Sequence, residues 1–165
     1  MNKPNKKEDN QIFGRIFTEM SRAELGLGKV AEALEHARKA KTIFINDPIR
    51  YNNNIITSPD VDLAKAFVVE GDVLAVLNKN EEAVKSYATA ENIYWNNYRE
   101  NMKNVDEISI MYLDAVKASC GVPKDSDIPQ KFWHKKFRNH HIEKFGGDHP
   151  RSIEILNLKC HNPGH

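Results

Sequence analysis

Apolar residues along this chain recur at helical spacing, and the helices come in pairs. Ile12, Phe13, Ile16, Phe17 and Met20 share one face of a predicted helix over 10–25, which the run Gly26-Leu27-Gly28 ends. A second helix spans 29–45, with Ala33, Ala37 and Ala40 as a stripe of small residues, and Asn46-Asp47-Pro48 stops it. An asparagine-rich connection follows, with Ile55 and Ile56 as its only extended-looking residues. Ser58 as cap, Pro59 and Asp60 open a third helix running to about Leu77. A fourth starts near Asn80, with Glu81 and Glu82 in its first turn, and runs to about Met102. Asn104 and Glu107 have capping-box spacing for a fifth helix ending near Ser119. A sixth spans 128–145 and Gly146-Gly147 closes it. A seventh begins at about His149. No segment alternates as a strand does.

The two leading pairs repeat each other. Phe17 aligns with Phe67, Ser21 with Gly71, Ala33 with Ala83, Ala37 with Tyr87, and Ala40 with Ala90. Small residues at such positions let helices approach closely. Gly71 and Ala83 bring the two helices of a hairpin together, Ala90 makes room for the next unit, and Tyr87 fills the space between.

On these residues the chain resembles the tetratricopeptide repeat family. In "FVVEGDVLAVLNKNEEAVKSYATA", Gly71, Ala83, Tyr87 and Ala90 match the family pattern. Phe67 stands for its tryptophan and Leu74 for its tyrosine. Glu70 departs where leucine is expected, and Trp95 sits near the expected proline. The third pair matches weakly, with Ala115 in a small position. "FGGDHPRSIEILNL" is similar to the junction of kinesin-light-chain-like repeats, which have longer helices. The resemblance implies an all-α, right-handed superhelical array of antiparallel helix pairs. The pairs would occupy about 10–45, 58–102 and 104–145, followed by a final helix over 149–160. Residues 1–9 are expected to be a disordered lead-in and 161–165 a tail.

The resemblance also implies a protein or peptide scaffold whose first helices line a concave groove. By alignment the groove residues are Arg15, Thr18 and Arg22, then Lys65, Val68, Val69 and Asp72, then Ser109, Tyr112 and Val116. Thr18, Arg22 and Val69 stand where a carboxylate clamp for chaperone tails needs other side chains. Arg22 and Lys65 can still hold an acidic peptide through charge-assisted bonds. A regulator sensing a peptide or small ligand, as in some bacterial relatives, is the alternative reading.

Composition narrows this little. The 165 residues suffice for one domain with a real core, and a net charge of +1 advertises neither nucleic acid nor membrane. No apolar run is long enough to span a bilayer, and the polar start lacks a signal core, so a cytoplasmic location is expected. Cys120 and Cys160, two distant thiols in such a chain, are expected to be free. Phe132, Trp133, Lys136 and Phe137 mix aromatic and basic character over 131–145, as single-stranded nucleic-acid binders do. An amphipathic helix with core aromatics is the favoured reading of that segment. Histidines gather late, at His134, His140, His141, His149, His161 and His165, and "CHNPGH" offers Cys160, His161 and His165 as zinc ligand types. The spacing fits no known finger, and no metal or cofactor is predicted. His36 is placed on the solvent side of its helix. Asp114 is a candidate perturbed carboxylate without a partner. No phosphate loop, His-Glu-x-x-His or nucleophile elbow appears, so no enzyme is predicted. Ile153, Ile155 and Leu156 make the last helix a candidate surface for self-association.

Overall fold

The computed structural model describes residues 6–46, 59–97 and 105–160. Among them are seven helices and no strand: α1 (Lys6–Gly26), α2 (Val30–Asn46), α3 (Pro59–Val76), α4 (Asn80–Asn97), α5 (Val105–Ser119), α6 (Gln130–Phe145) and α7 (Pro150–Asn157). The all-α class and the number of helices follow the hydrophobic pattern. Boundaries differ in instructive ways. α1 starts four residues before its apolar periodicity does, so residues 6–9 belong to it and not to a lead-in. α6 begins just after Pro129, and α7 stops at Asn157, before Cys160. The proposed caps Ser58 and Asn104, the isoleucines at 55–56 and the tail at 161–165 lie outside the described residues.

Each helix packs against the next, and α1, α3, α5 and α7 also touch in sequence. The odd-numbered helices therefore form one layer. The two leading hairpins turn in the same way. The N–H of Lys29 donates to the Glu24 carbonyl (2.8 Å) and that of Gly28 to Leu25 (3.0 Å). Fifty residues on, Lys79 donates to Leu74 (2.9 Å) and Asn78 to Ala75 (3.0 Å). This is the paired carbonyl satisfaction of a left-handed helix end, with Gly28 at φ 75° and Asn78 at φ 59°.

The alanines lie where close approach requires them. Ala33, Ala37, Ala40, Ala83 and Ala90 are all fully buried. A Cβ on Gly71 would meet the Tyr87 ring at 2.7 Å, so that ring lies directly on the α3 backbone. In the first hairpin Ser21 Oγ donates to the Ala33 carbonyl (2.7 Å), and Gly14 is the glycine covered by a ring, that of Phe44. Phe17 and Phe67 are only half-buried, at the edges of the two core clusters.

One predicted face is inverted. Ile12, Phe13, Ile16 and Met20 are exposed, while Gly14, Thr18 and Ser21 face the protein. α1 begins the stack, with α2 and α3 against it and nothing described on its remaining side. At the other end Ile155 is fully buried, while Ile153 and Leu156 are half-exposed. Two of the three residues suggested for self-association therefore remain at the surface.

Glu70, where the repeat pattern expects leucine, is buried between pairs. Lys41 Nζ of α2 donates to both its carboxylate oxygens (2.8 and 2.7 Å), and Ser86 Oγ of α4 to one (3.2 Å). Glu91 plays the same part further along, buried on α4 against Lys136 (3.0 Å) and His140 (2.7 Å) of α6. A buried carboxylate is tolerated when its oxygens are all engaged, and these two fix how successive pairs dock.

The cysteines overturn the sequence expectation. Cys120, just after α5, and Cys160, in the coil after α7, form a disulfide across 40 residues. Closing a loop of that length stabilises by about 4 kcal/mol in the chain-entropy account. Sequence spacing gives no hint of it, because the two residues meet only after α6 and α7 have folded back.

Candidate interaction groove

The exposed side of the odd-helix layer holds a cavity of about 500 Å³. Leu25 of α1, Asp72 and Val76 of α3, Tyr87 of α4, and Asp114 and Lys117 of α5 contribute to its wall. Two small residues, Ala75 of α3 and Ala118 of α5, also line it.

Of the ten groove residues expected from the alignment, six are core. Thr18, Val68, Val69, Ser109, Tyr112 and Val116 are all buried. Thr18 Oγ1 donates to the Gly14 carbonyl (3.0 Å), and the Tyr112 hydroxyl accepts from Trp95 Nε1 (2.9 Å). The alignment treats each first helix as one-sided, but α3 and α5 have neighbours on several faces. Only Arg15, Arg22, Lys65 and Asp72 keep exposed or half-buried side chains.

The cations among them are already engaged. Arg15 pairs with Asp62 at 2.7 Å. Arg22 reaches from α1 to Glu107 on α5 in a short ion pair, and to Glu19 at 3.3 Å. Lys65 stands 3.7 Å from the same Glu107. One carboxylate thus joins α1, α3 and α5, and sequence reading missed it because Glu107 counted only as a capping residue. An acidic peptide held by Arg22 and Lys65 would first have to displace Glu107.

The groove's remaining charged groups are the carboxyls Asp72 and Asp114 and one lysine, Lys117, which pairs with Glu154 at 3.6 Å. Asp72 Oδ1 accepts the Tyr87 hydroxyl proton (2.7 Å) and forms no ion pair with a described residue. Burial drives its carboxyl up to about 7, and nearby Asp114 and Glu107 add to this against the Tyr87 bond and Arg22. Asp114 is also raised, chiefly by burial, with Lys117 opposing. Asp114 therefore has a partner after all, a second carboxyl on the same wall. Two acids whose ionisation is held back in one cavity will ionise readily when a cation enters it.

Other candidate residues serve the core. Trp133, Phe137 and His141 of α6 are buried, while Phe132 remains exposed. Lys136 lies over the Trp133 and Phe137 rings, at 5.4 and 5.5 Å from their centroids. The favoured reading of α6 as an amphipathic packing helix fits this placement. His36, expected at the surface, is instead stacked on Phe17 and paired with Glu24 at 2.6 Å. His141 lies between two serines. Ser152 Oγ donates to the Gly146 carbonyl (2.6 Å), so it accepts from His141 Nδ1–H (2.9 Å), and Ser109 Oγ–H donates to Nε2 (2.8 Å). Burial, with His149 and Arg151 nearby, lowers this imidazole to about 4. All three side chains are fully buried, so the trio pins α5, α6 and α7 together. His149 caps α7 by accepting the Arg151 N–H (3.2 Å), ahead of Pro150.

The late histidine and cysteine residues assemble differently from the sequence expectation. His161 and His165 lie outside the described residues. Cys160 instead meets Cys120 and His134, whose Nδ1 is 3.3 Å from Cys160 Sγ and 3.8 Å from Cys120 Sγ. Burial, with Arg138 nearby, lowers the His134 imidazole. A separate apolar cavity of about 710 Å³ runs along α2, with Phe17, Leu34, Ile43 and Leu77 in its wall.

No helix among the described residues is long and apolar enough to cross a membrane. Comparison with protein families, with curated proteins and with solved structures finds no match to this chain.

Proposed function

We propose that this chain is a tetratricopeptide-like interaction module, a right-handed array of helix pairs that binds a peptide segment bearing a positive charge. The observation carrying the reading is the pairing pattern in the groove. Arg15, Arg22 and Lys65 are neutralised within the chain, whereas Asp72 and Asp114 share a cavity wall without ion pairs to described residues. A lysine, arginine or amino terminus of a partner would meet two carboxylates and the Tyr87 hydroxyl there. Charge-assisted bonds of this kind are about twice as strong as neutral ones. The repeated turn at Gly28 and Asn78 and the continuous odd-helix layer support the array reading. The cavity's 500 Å³ is also within the range of small-ligand sites, which favours a ligand-sensing regulator as the second reading, with an amine as the ligand.

The test uses fluorescence anisotropy with labelled peptides of matched length, one rich in lysine and arginine and one rich in glutamate and aspartate. The basic peptide should bind, and bind more tightly from pH 6 to pH 8 as Asp72 ionises. The double substitution Asp72→Asn, Asp114→Asn should weaken it about tenfold or more, the scale of one lost charged bond. Preference for the acidic peptide, or indifference to the double substitution, would overturn the proposal. A small amine that binds where both peptides fail would transfer the site to the regulator reading.

A further inference from the structure

Three chain segments distant in sequence converge beside α6. Cys120 follows α5, His134 occupies the second turn of α6, and Cys160 lies in the coil after α7. Gln130 Nε2 donates to the Cys120 carbonyl (2.7 Å) and holds the first of these against the helix. All three ligand-type atoms lie within 4.8 Å of one another, and the residues are half-buried.

We propose that Cys120, His134 and Cys160 form a redox-gated site for a soft divalent cation of the zinc class. The reduced thiolates and the imidazole bind the ion, and disulfide formation expels it. The donor set carries the argument. Two thiolates and one imidazole are the ligands such an ion prefers, and their two negative charges neutralise it. Distances agree. A tetrahedral ion at its usual bond lengths sets sulfur and nitrogen about 3.6 Å apart and the two sulfurs about 3.8 Å apart. The sulfur–nitrogen separations already stand at 3.3 and 3.8 Å. Only the two sulfurs must part, and Cα atoms 4.9 Å apart let them do so by side-chain rotation and a small shift of the coil.

The fourth position opens on a cavity of about 410 Å³ walled by His134 and Cys160 and edged by Lys131, Lys135 and Arg138. Water or a small anion completes the shell from that side. Among the described residues no carboxylate lines the cavity, so they do not make it a site for hard cations such as calcium.

The redox step balances with a peroxide as oxidant. Two thiolates give up two electrons, the S–S bond forms, and the O–O bond breaks. With hydrogen peroxide two hydroxides are released and neutralised by the buffer, and the ion leaves hydrated. In both the oxidised and the metal-bound state the coil after α7 stays tied to the α5–α6 turn. In the reduced, metal-free state it is released. This resolves the tension between a disulfide and a chain expected in a reducing compartment, because the same three residues have a closed form in either environment.

Cobalt(II) is the probe, added to the intact 165-residue chain after phosphine reduction and removal of the phosphine. The oxidised wild type is the folded control that needs no mutation. The reduced chain should bind one equivalent, showing the thiolate charge-transfer band and the intense visible bands of a tetrahedral ion. Zinc should displace the cobalt, and peroxide should erase the bands while free thiols disappear. His134→Ala should lower cobalt affinity at least tenfold yet still allow the disulfide to form, by thiol titration. The proposal fails if reduced and oxidised chains give the same spectrum, if the bands survive Cys160→Ser, or if His134→Ala binds as tightly as the wild type.

Discussion

Replacing Gly71 by alanine tests the packing that brings α3 and α4 together. The new Cβ would lie 2.7, 2.9 and 2.9 Å from three atoms of the Tyr87 ring. That ring is fully buried, and its hydroxyl is held by Asp72 at 2.7 Å, so it has nowhere to move. Forced overpacking of this kind costs about 1–3 kcal/mol. Alanine regains up to about 1 kcal/mol of helix propensity. Contacts this far under 3.0 Å against a ring that cannot move place the cost in the upper part of that range, so the net loss should be about 1–2 kcal/mol. Gly26 is the control, since it also sits in a helix but a Cβ there meets nothing within 4 Å. Gly26→Ala should raise stability by about 0.5 kcal/mol, a partial propensity gain at a helix end. The same substitution thus has opposite signs at the two sites. Urea unfolding followed by far-ultraviolet circular dichroism reads both, with the slope unchanged. Shrinking the ring in the Gly71→Ala background, with Tyr87→Leu, should abolish the penalty, giving a coupling of at least about 1 kcal/mol. If Gly71→Ala is as stable as the wild type, or does not couple to Tyr87, the ring does not set the hairpin's closeness and the reasoning fails.

His141 should give a pH signature. Its folded pKa of about 4 lies below the ordinary histidine value, so the unfolded chain binds the extra proton first. Its stabilising share is complete above about pH 6.5 and is lost as pH falls towards 4, a loss of order 3 kcal/mol that urea midpoints across this range would register. Imidazole NMR should show the ring still neutral at pH 5.5, and titration of this ring near pH 6.5 would sink the assignment. Glu70→Leu restores the residue the repeat pattern expects, yet should destabilise by about 1–3 kcal/mol, because Lys41 loses two bonds and can only partly bend to water. Adding Lys41→Met should recover most of that loss in the same urea assay.

Much of the fold was legible because helix periodicity and turn chemistry are local. Gly71, Ala83 and Tyr87 announced a close-packed hairpin; Ala83 and Tyr87 are fully buried, and the Tyr87 ring lies on the Gly71 backbone. Local rules could not say which side of α1 would find a neighbour, so Ile12, Phe13, Ile16 and Met20 were given to a core that never covers them. The groove was legible in outline only. Arg22 and Lys65 were found, but Glu107, which neutralises both, stands 85 residues from Arg22. Ser109, Tyr112 and Val116 were assigned to its lining, and packing by α6 and α7 makes them core.

The sequence by itself determined the helical class, the pairing of helices, their approximate ends and the small residues that let them approach. Each of these depends on residues within one or two turns of each other, or on a repeat of the same short pattern. Only the tertiary structure decided that Asp72 and Asp114 share a wall, that Glu70 and Glu91 are buried between pairs, and that Cys120, His134 and Cys160 meet. Those arrangements depend on how whole helices dock. Docking is fixed by the sum of many weak contacts, which no single spacing along the chain encodes.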